Sequence, residues 1–343
     1  MAPIAVEPSP APPTVVGPTT KKATRPTNQI PQYLIEEARV QKEPFNPQRH
    51  LNFQPPSKIH TMKEIGLEGH GISLNAVSEP FPLFTEDAIK QIRAEIFSEP
   101  VLQKCQYTSS FTKNMIRGMG HELAPFTYNA WYSAEVLARI SEVAGVELVP
   151  SMDYEVANIN ISFNDSSEEL AQGADSPNGD DLPAVAWHYD SFPFVCVTML
   201  SDCTEMIGGE TALRKPNGEV MKVRGPSMGT AVVMQGRYIE HQAIKALGGR
   251  ERISMVTAFR PKSPFIKDES VLTGVRPISN ISETYTQYTI YRLEVLEERL
   301  RARLKMERRR EVAKHDFDLA SAKSFLMEQK QFLESMLTEL VEI

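Results

Sequence analysis

Apolar and polar positions follow no period from Met1 to about Gln32. The stretch is rich in Pro and Thr (Pro8, Pro10, Pro12, Pro13, Pro18) with almost no aromatics. Such a segment cannot bury enough apolar surface to offset its ordering entropy, which predicts a disordered or loosely attached arm over 1–32. A helical period follows. Thr85 with Glu86 and Asp87 opens a capped, acidic first turn, and Ile89, Ile92 and Ile96 recur on one face. A second helix runs from Ser133 to Ala144 and stops at Gly145. These helices are expected to buttress one side of a sheet.

From Tyr154 to Arg260 the texture changes to short β-rich runs separated by Gly, Pro, Asn and Asp, the pattern of an antiparallel sandwich or barrel. Eight runs are predicted: 154–163, 184–188, 194–200, 210–213, 220–223, 230–234, 238–244 and 253–259. In the first, alternation assigns Val156, Asn158, Asn160 and Ser162 to one face and Ala157, Ile159, Ile161 and Phe163 to the other. An amide-bearing inner face suits a wet interior. Beyond Arg260, Leu293, Leu296, Leu300 and Leu304 follow helical spacing ahead of a basic run to Arg310, and a further helix is expected from about Asp318 to Ile343. The charged run reads either as a solvated helix face or as a contact, such as a homodimer through the C-terminal helices or a lid.

Composition narrows the class. With 343 residues, 41% hydrophobic and 24% charged, the chain suits one large domain with terminal additions: an arm at 1–32, a main domain at 33–275 with its β core at about 154–261, and a C-terminal helical extension at 276–343. A net charge of -7 argues against a nucleic-acid partner and favours a small-molecule or protein substrate. Cys105, Cys196 and Cys203 lack metal or redox spacing and read as free thiols. The N-terminus lacks a basic start followed by an apolar stretch, and no run reaches membrane-spanning length, so a cytoplasmic protein without membrane partners is expected.

The candidate chemistry lies in Trp187-His188-Tyr189-Asp190. An imidazole and a carboxylate two residues apart project to one side of an extended backbone, which can hold one face of a metal ion. His241, 51 positions after Asp190, supplies a third ligand in another strand-like run. Two imidazoles and a carboxylate leave coordination positions open, as oxygen activation at non-haem Fe(II) requires and as closed sulfur sites of structural zinc do not. Arg252 and Ser254, eleven and thirteen residues after His241, share a strand face and can grip a carboxylate through charge-assisted hydrogen bonds.

His188-x-Asp190, then His241, then Arg252-x-Ser254, over roughly Tyr154 to Pro261, resembles the Fe(II)/2-oxoglutarate dioxygenase superfamily. The resemblance implies an α+β chain built on a double-stranded β-helix (jelly-roll, cupin-like) barrel. It also implies Fe(II) on His188, Asp190 and His241, with 2-oxoglutarate chelating the metal and placing its far carboxylate on Arg252 and Ser254. The reaction implied consumes O2, converts 2-oxoglutarate to succinate and removes hydrogen from a substrate; ascorbate is an expected aid. Asn158 would contact the cosubstrate. Asn160 stands where many relatives carry Tyr, and Asp190 separates the chain from iron halogenases. Gly208-Gly209-Glu210 resembles a family turn, for which glycine's conformational freedom is sufficient reason. The runs 114–118, 187–194 and 236–241 resemble fungal members associated with secondary metabolism.

For substrate contact the candidates are Asn160, Arg237, Phe192 and Arg117. Arg237 shares the inward face of His241 if the strand is regular. Phe192, Phe194 and Tyr189 could wall a pocket or simply pack. Arg117 and His121 lie in a Gly-rich segment read as a surface loop or a cover for the barrel mouth. The reading that follows is an oxygenase acting on a small molecule, such as an amino acid or biosynthetic intermediate, by hydroxylation, desaturation or cyclisation. Alternatives are a protein-modifying hydroxylase of the same superfamily and an inert scaffold, for which Arg252 and Ser254 would have no use. A zinc hydrolase on the same three ligands would leave that pair equally unexplained.

Overall fold

In a computed structural model of the chain, the residues described are 10–17, 22–26, 29–109, 112–163, 186–204, 206–223, 227–244, 246–247 and 249–343. Short helices α1 (Gln32–Glu37) and α2 (Pro47–His50) precede the strands β1 (Ile59–Thr61), β2 (Asn75–Ser78) and β3 (Phe81–Pro82). The helix α3 (Glu86–Ile96) starts where Thr85 Oγ1 accepts the Ala88 N–H at 3.3 Å, and buries Ile89, Ile92 and Ile96. Then come α4 (Glu99–Lys104), β4 (Gln106–Tyr107), β5 (Asn114–Ile116), α5 (Gly120–Leu123) and α6 (Pro125–Trp131). The helix α7 (Ala134–Ala144) is capped by Ser133 and ended by Gly145, whose φ of 71° is the left-handed conformation a C-terminal glycine supplies. Both predicted helices thus form with the caps that the sequence indicates.

The strands that follow are β6 (Leu148–Pro150), β7 (Asn158–Phe163), β8 (Phe194–Met199), β9 (Ile207–Gly208), β10 (Thr211–Arg214), β11 (Val220–Val223), β12 (Thr230–Met234), β13 (Glu240–Ala243), β14 (Ala246–Leu247) and β15 (Glu251–Pro261). The chain ends in the helices α8 (Ile281–Val312) and α9 (Leu319–Glu339). Among the described residues no helix is long and apolar enough to cross a membrane.

The strands pair antiparallel in a ten-stranded sheet, ordered β1-β2-β12-β8-β15-β7-β5-β4 with β3 also paired to β12 and β6 to β15, and a three-stranded sheet β11-β10-β13. Strands β9 and β14 form a separate pair. The large sheet has two chemically different faces. Ile159, Ile161, Cys196, Val233, Ile253 and Met255 pack with α3, α6 and α7 in one continuous apolar core. Val195, Val232, Met234 and Ala258 on the other face share a second core with Leu213 and Val223 of the small sheet. The small sheet therefore covers the face that carries Asn158, Asn160 and Ser162.

Three features differ from the expectation. The described strands form separate sheets and no closed barrel; of the expected run 184–188, Ala184 and Val185 lie outside the described residues, and His188 makes a single bridge to His241. Alternation in the run from Tyr154 breaks at Ala157, whose φ is +55°. Val156 consequently joins the helix-side core and not the Asn158 face. The strands β1 to β5 come from a region whose pattern suggested helices and loops, because pieces of two to four residues show no measurable period.

The C-terminal helices belong to the second core: Tyr288, Tyr291 and Val295 of α8 and Phe332 and Met336 of α9 pack there, and buried Arg276 pairs with Glu339 at 2.5 Å. Of the Leu stripe of α8, Leu293, Leu300 and Leu304 are about half exposed, whereas Leu296 packs against the second core. The described parts of the N-terminal stretch lie on the body: Thr24 bridges to Thr108, and Pro13 O accepts from Arg237 Nη1.

Candidate metal centre

Backbone pairing brings His188 and His241 together. Each donates its N–H to the other's carbonyl, at 2.9 and 3.0 Å, as a closed antiparallel pair whose side chains project to one side. Their rings lie 4.3 Å apart between centroids. Each Nδ1 faces a backbone carbonyl two residues back, His188 that of Ala186 at 2.8 Å and His241 that of Ile239 at 3.0 Å. A carbonyl can only accept, so Nδ1 carries the hydrogen and Nε2 presents its lone pair. Both Nε2 atoms lie 3.6 Å from Asp190 Oδ1.

Asp190 is held by its own N–H, which donates to Gly236 O at 2.9 Å. Its Oδ2 is buried with no hydrogen-bond partner among the described residues. Burial pushes this carboxyl up, but His241, His188 and Arg237 together hold it below the usual carboxylate range. Burial pushes the His241 imidazole down; for His188 burial acts the same way and is outweighed by Asp190, so the net direction is up. Ligand atoms from the three residues all lie within 4.8 Å of one another. Two imidazole Nε2 atoms and a carboxylate with an unsatisfied oxygen form a donor set that fits Fe(II) and leaves coordination positions free.

Gly236 is a requirement of this geometry that sequence reading missed. A Cβ on it would overlap Asp190 Oδ2 and lie 2.6 Å from Asp190 Cγ. Only the packed structure reveals that approach.

The cosubstrate candidates lie on the large sheet. In β15, Arg252 pairs across to Ser162, Ser254 to Asn160 and Val256 to Asn158, so Arg252, Ser254, Asn158 and Asn160 share the face that the small sheet covers. His241 pairs with Leu213, a member of the core between the sheets, and so looks toward that face. The Arg252 guanidinium makes one hydrogen bond, a long one of 3.4 Å to Gly209 O, and no carboxylate pairs with it among the described residues. Burial pushes its pKa down. Gly208 and Gly209 have φ of 80° and 78°, as the turn reading of that motif requires.

The other candidates have different surroundings. Arg117, expected on a surface loop, is 4% exposed and pairs with buried Glu155 at 2.6 Å. The second Glu155 oxygen accepts from Asn158 Nδ2 at 2.8 Å. Burial pushes the Glu155 carboxyl up, opposed by Arg117 and Asn158. Glu155 escaped sequence reading because a lone acid beside a strand carries no signal; the left-handed turn at Ala157 folds it back beside Asn158. Asn158 Oδ1 and Arg117 Nε are buried without partners among the described residues. Arg237 lies in a turn, so the regular-strand premise that placed it with His241 is not met; it donates to Glu269 O at 3.0 Å and to Pro13 O. Phe192 is buried in the core between the sheets, and Phe194 in the helix-side core. Tyr189 is half-buried, and exposed-side His121 contacts Asn129 Oδ1 at 3.0 Å.

No family model and no curated protein matches the chain. Among solved structures, the chain is similar to 2-oxoglutarate-Fe(II) oxygenases. A 2OG-Fe(II) oxygenase family oxidoreductase from Burkholderia pseudomallei aligns at 16% identity over 43% of this chain and 65% of that one, with a TM-score of 0.31. A Pseudomonas putida prolyl-4-hydroxylase aligns at 16% identity over 52% and 88%, with a TM-score of 0.33. The non-haem alpha-ketoglutarate-dependent epimerase SnoN from nogalamycin biosynthesis aligns at 13% identity over 52% and 75%, with a TM-score of 0.37. The chemistry is carried by the centre's own donor set.

Proposed function

We propose that this chain is an Fe(II)- and 2-oxoglutarate-dependent oxygenase that oxidises a small molecule, with the two sheets forming a double-stranded β-helix around the site. The observation that carries the reading is the arrangement of His188, Asp190 and His241, two Nε2 lone pairs facing one carboxylate whose Oδ2 is otherwise unpartnered. Arg252 supports the choice of cosubstrate. Of the three arginines considered for the site, Arg117 is neutralised by Glu155 and Arg237 lies in a turn off the His241 face, whereas Arg252 shares the face of Asn158 and Asn160 and has no acidic partner among the described residues. A half-buried cation without an anion is costly, and a diacid's far carboxylate would satisfy it.

Bound iron would supply oxygen activation coupled to decarboxylation of 2-oxoglutarate to succinate. The protein's own part is geometric. Ala186 O and Ile239 O fix the tautomers of the ligand imidazoles, and Gly236 O orients Asp190. Arg252 and Ser254 would anchor the far carboxylate of the cosubstrate. Asn158, braced by Glu155, would present Oδ1 to bound cosubstrate or substrate.

The test is succinate formation by purified protein with Fe(II), ascorbate, O2 and 2-oxoglutarate, with and without a panel of amino acids and small acids. Succinate that depends on iron and on His241 supports the reading, and a compound that accelerates it identifies the substrate class. Acceleration by a peptide but by no small molecule would favour a protein-modifying hydroxylase. No succinate together with no iron binding would overturn the proposal.

A further inference from the structure

A cleft of about 760 Å3 opens between α8, α9 and the segment 264–271. None of the metal-centre residues lines it, nor does Arg252. Its apolar lining includes Phe265, Met306, Phe325 and Phe332, and basic residues from three elements also line it. Their partners separate them into two groups. Lys267 pairs with Glu269, Arg292 with Asp268 at 3.4 Å, and Arg303 with Glu307. Arg237 and Arg299 have no carboxylate partner among the described residues. Arg237, 4% exposed, donates to the carbonyls of Glu269 and Pro13; Arg299 donates to those of Pro264 at 2.5 Å and Ile266 at 3.5 Å. The lining acid left without a cation, Glu328, is solvent-exposed.

Two cations held in place by carbonyls, in a cleft that also has apolar walls, are complementary to one chemistry. We propose that this cleft is a second binding site, taking an amphiphilic anion whose carboxylate or similar oxyanion head meets Arg299 and Arg237 and whose apolar body lies on Phe265, Met306 and Phe325, the Phe332 ring being already covered by the guanidinium groups of Arg292 and Arg299. The volume suits a small organic acid, and carbonyl-fixed guanidinium groups are preorganised for an oxyanion. The site stands whether or not the metal centre is an oxygenase.

The cleft also adjoins the backbone segments next to that centre. Arg237 adjoins Gly236, whose carbonyl holds Asp190, and Val271 donates its N–H to Ser191 O at 2.9 Å, next to Asp190. The turn that holds Asp190 and the segment that holds its neighbour Ser191 thus both contribute lining residues.

Titration calorimetry of the full chain with octanoate, and with 1-octanol as the uncharged control, tests the proposal. Octanoate is expected to bind once per chain, about tenfold or more tighter than octanol, as a charge-assisted contact implies. Arg299→Gln should bring octanoate down to the octanol level. Ala302→Trp, which fills the cleft and removes no hydrogen bond, should abolish both, and Arg252→Met should leave both unchanged. Octanoate binding that survives Ala302→Trp, binding lost in Arg252→Met, or no binding to the wild-type chain would each overturn it. Thermal melts of the two cleft variants separate loss of the site from loss of the fold, and either variant alone suffices as a test.

Discussion

Gly236 and Asp190 are locked together: the Gly236 carbonyl accepts the Asp190 N–H at 2.9 Å, and the space a side chain on Gly236 would need is filled by the Asp190 carboxylate. A methyl group at 236 must push that carboxylate away from the two imidazoles. Gly236→Ala is therefore expected to weaken metal binding about tenfold to a hundredfold, the range seen when a ligand's orienting contacts are disturbed. Spectroscopic titration with Co(II) reads this directly, and an unchanged affinity would show that Asp190 tolerates the shift.

Removing a ligand should have a sharper effect than misplacing one. His241→Ala and Asp190→Ala are each expected to abolish iron-dependent succinate formation while circular dichroism stays that of the parent, because neither side chain belongs to the apolar cores. Full turnover in either variant would remove the metal assignment.

Arg252→Ala separates cosubstrate binding from metal binding. Loss of a charge-assisted hydrogen bond, worth about 1.5–3 kcal/mol, should raise the 2-oxoglutarate concentration at half-maximal rate about tenfold or more. Co(II) affinity should not change. Equal loss of both would mean that Arg252 acts on the fold rather than on the cosubstrate.

The Arg117–Glu155 pair makes a prediction about stability. Both partners are nearly inaccessible, at 4% and 2% exposure, so Glu155→Ala leaves a guanidinium buried without its counter-charge. Breaking such a pair from one side costs about 3–5 kcal/mol. Urea unfolding should show a lowered midpoint with an unchanged slope, and Glu155→Ala combined with Arg117→Met should recover part of the loss. A single variant as stable as the parent would mean that water reaches Arg117.

The amino-acid sequence by itself determined the local elements and the identity of the chemical groups. Thr85, Ser133 and Gly145 mark helix ends because capping depends on neighbours a few residues away. The strands β8, β10, β11, β12 and β15 are legible because each carries enough consecutive apolar residues to show a pattern. His188, Asp190, His241, Arg252 and Ser254 stand out through residue type and spacing. Tertiary structure alone decided what those groups meet. The pairing of His188 with His241 joins positions 53 residues apart, 241 - 188. The partnering of Arg117 by Glu155, the turn that removes Arg237 from the His241 face, and the burial of Phe192 all depend on long-range packing. So does the need for glycine at 236. The physical reason is range: capping and alternation are interactions along the chain, whereas the state of a buried charge is set by whatever the fold brings against it from elsewhere.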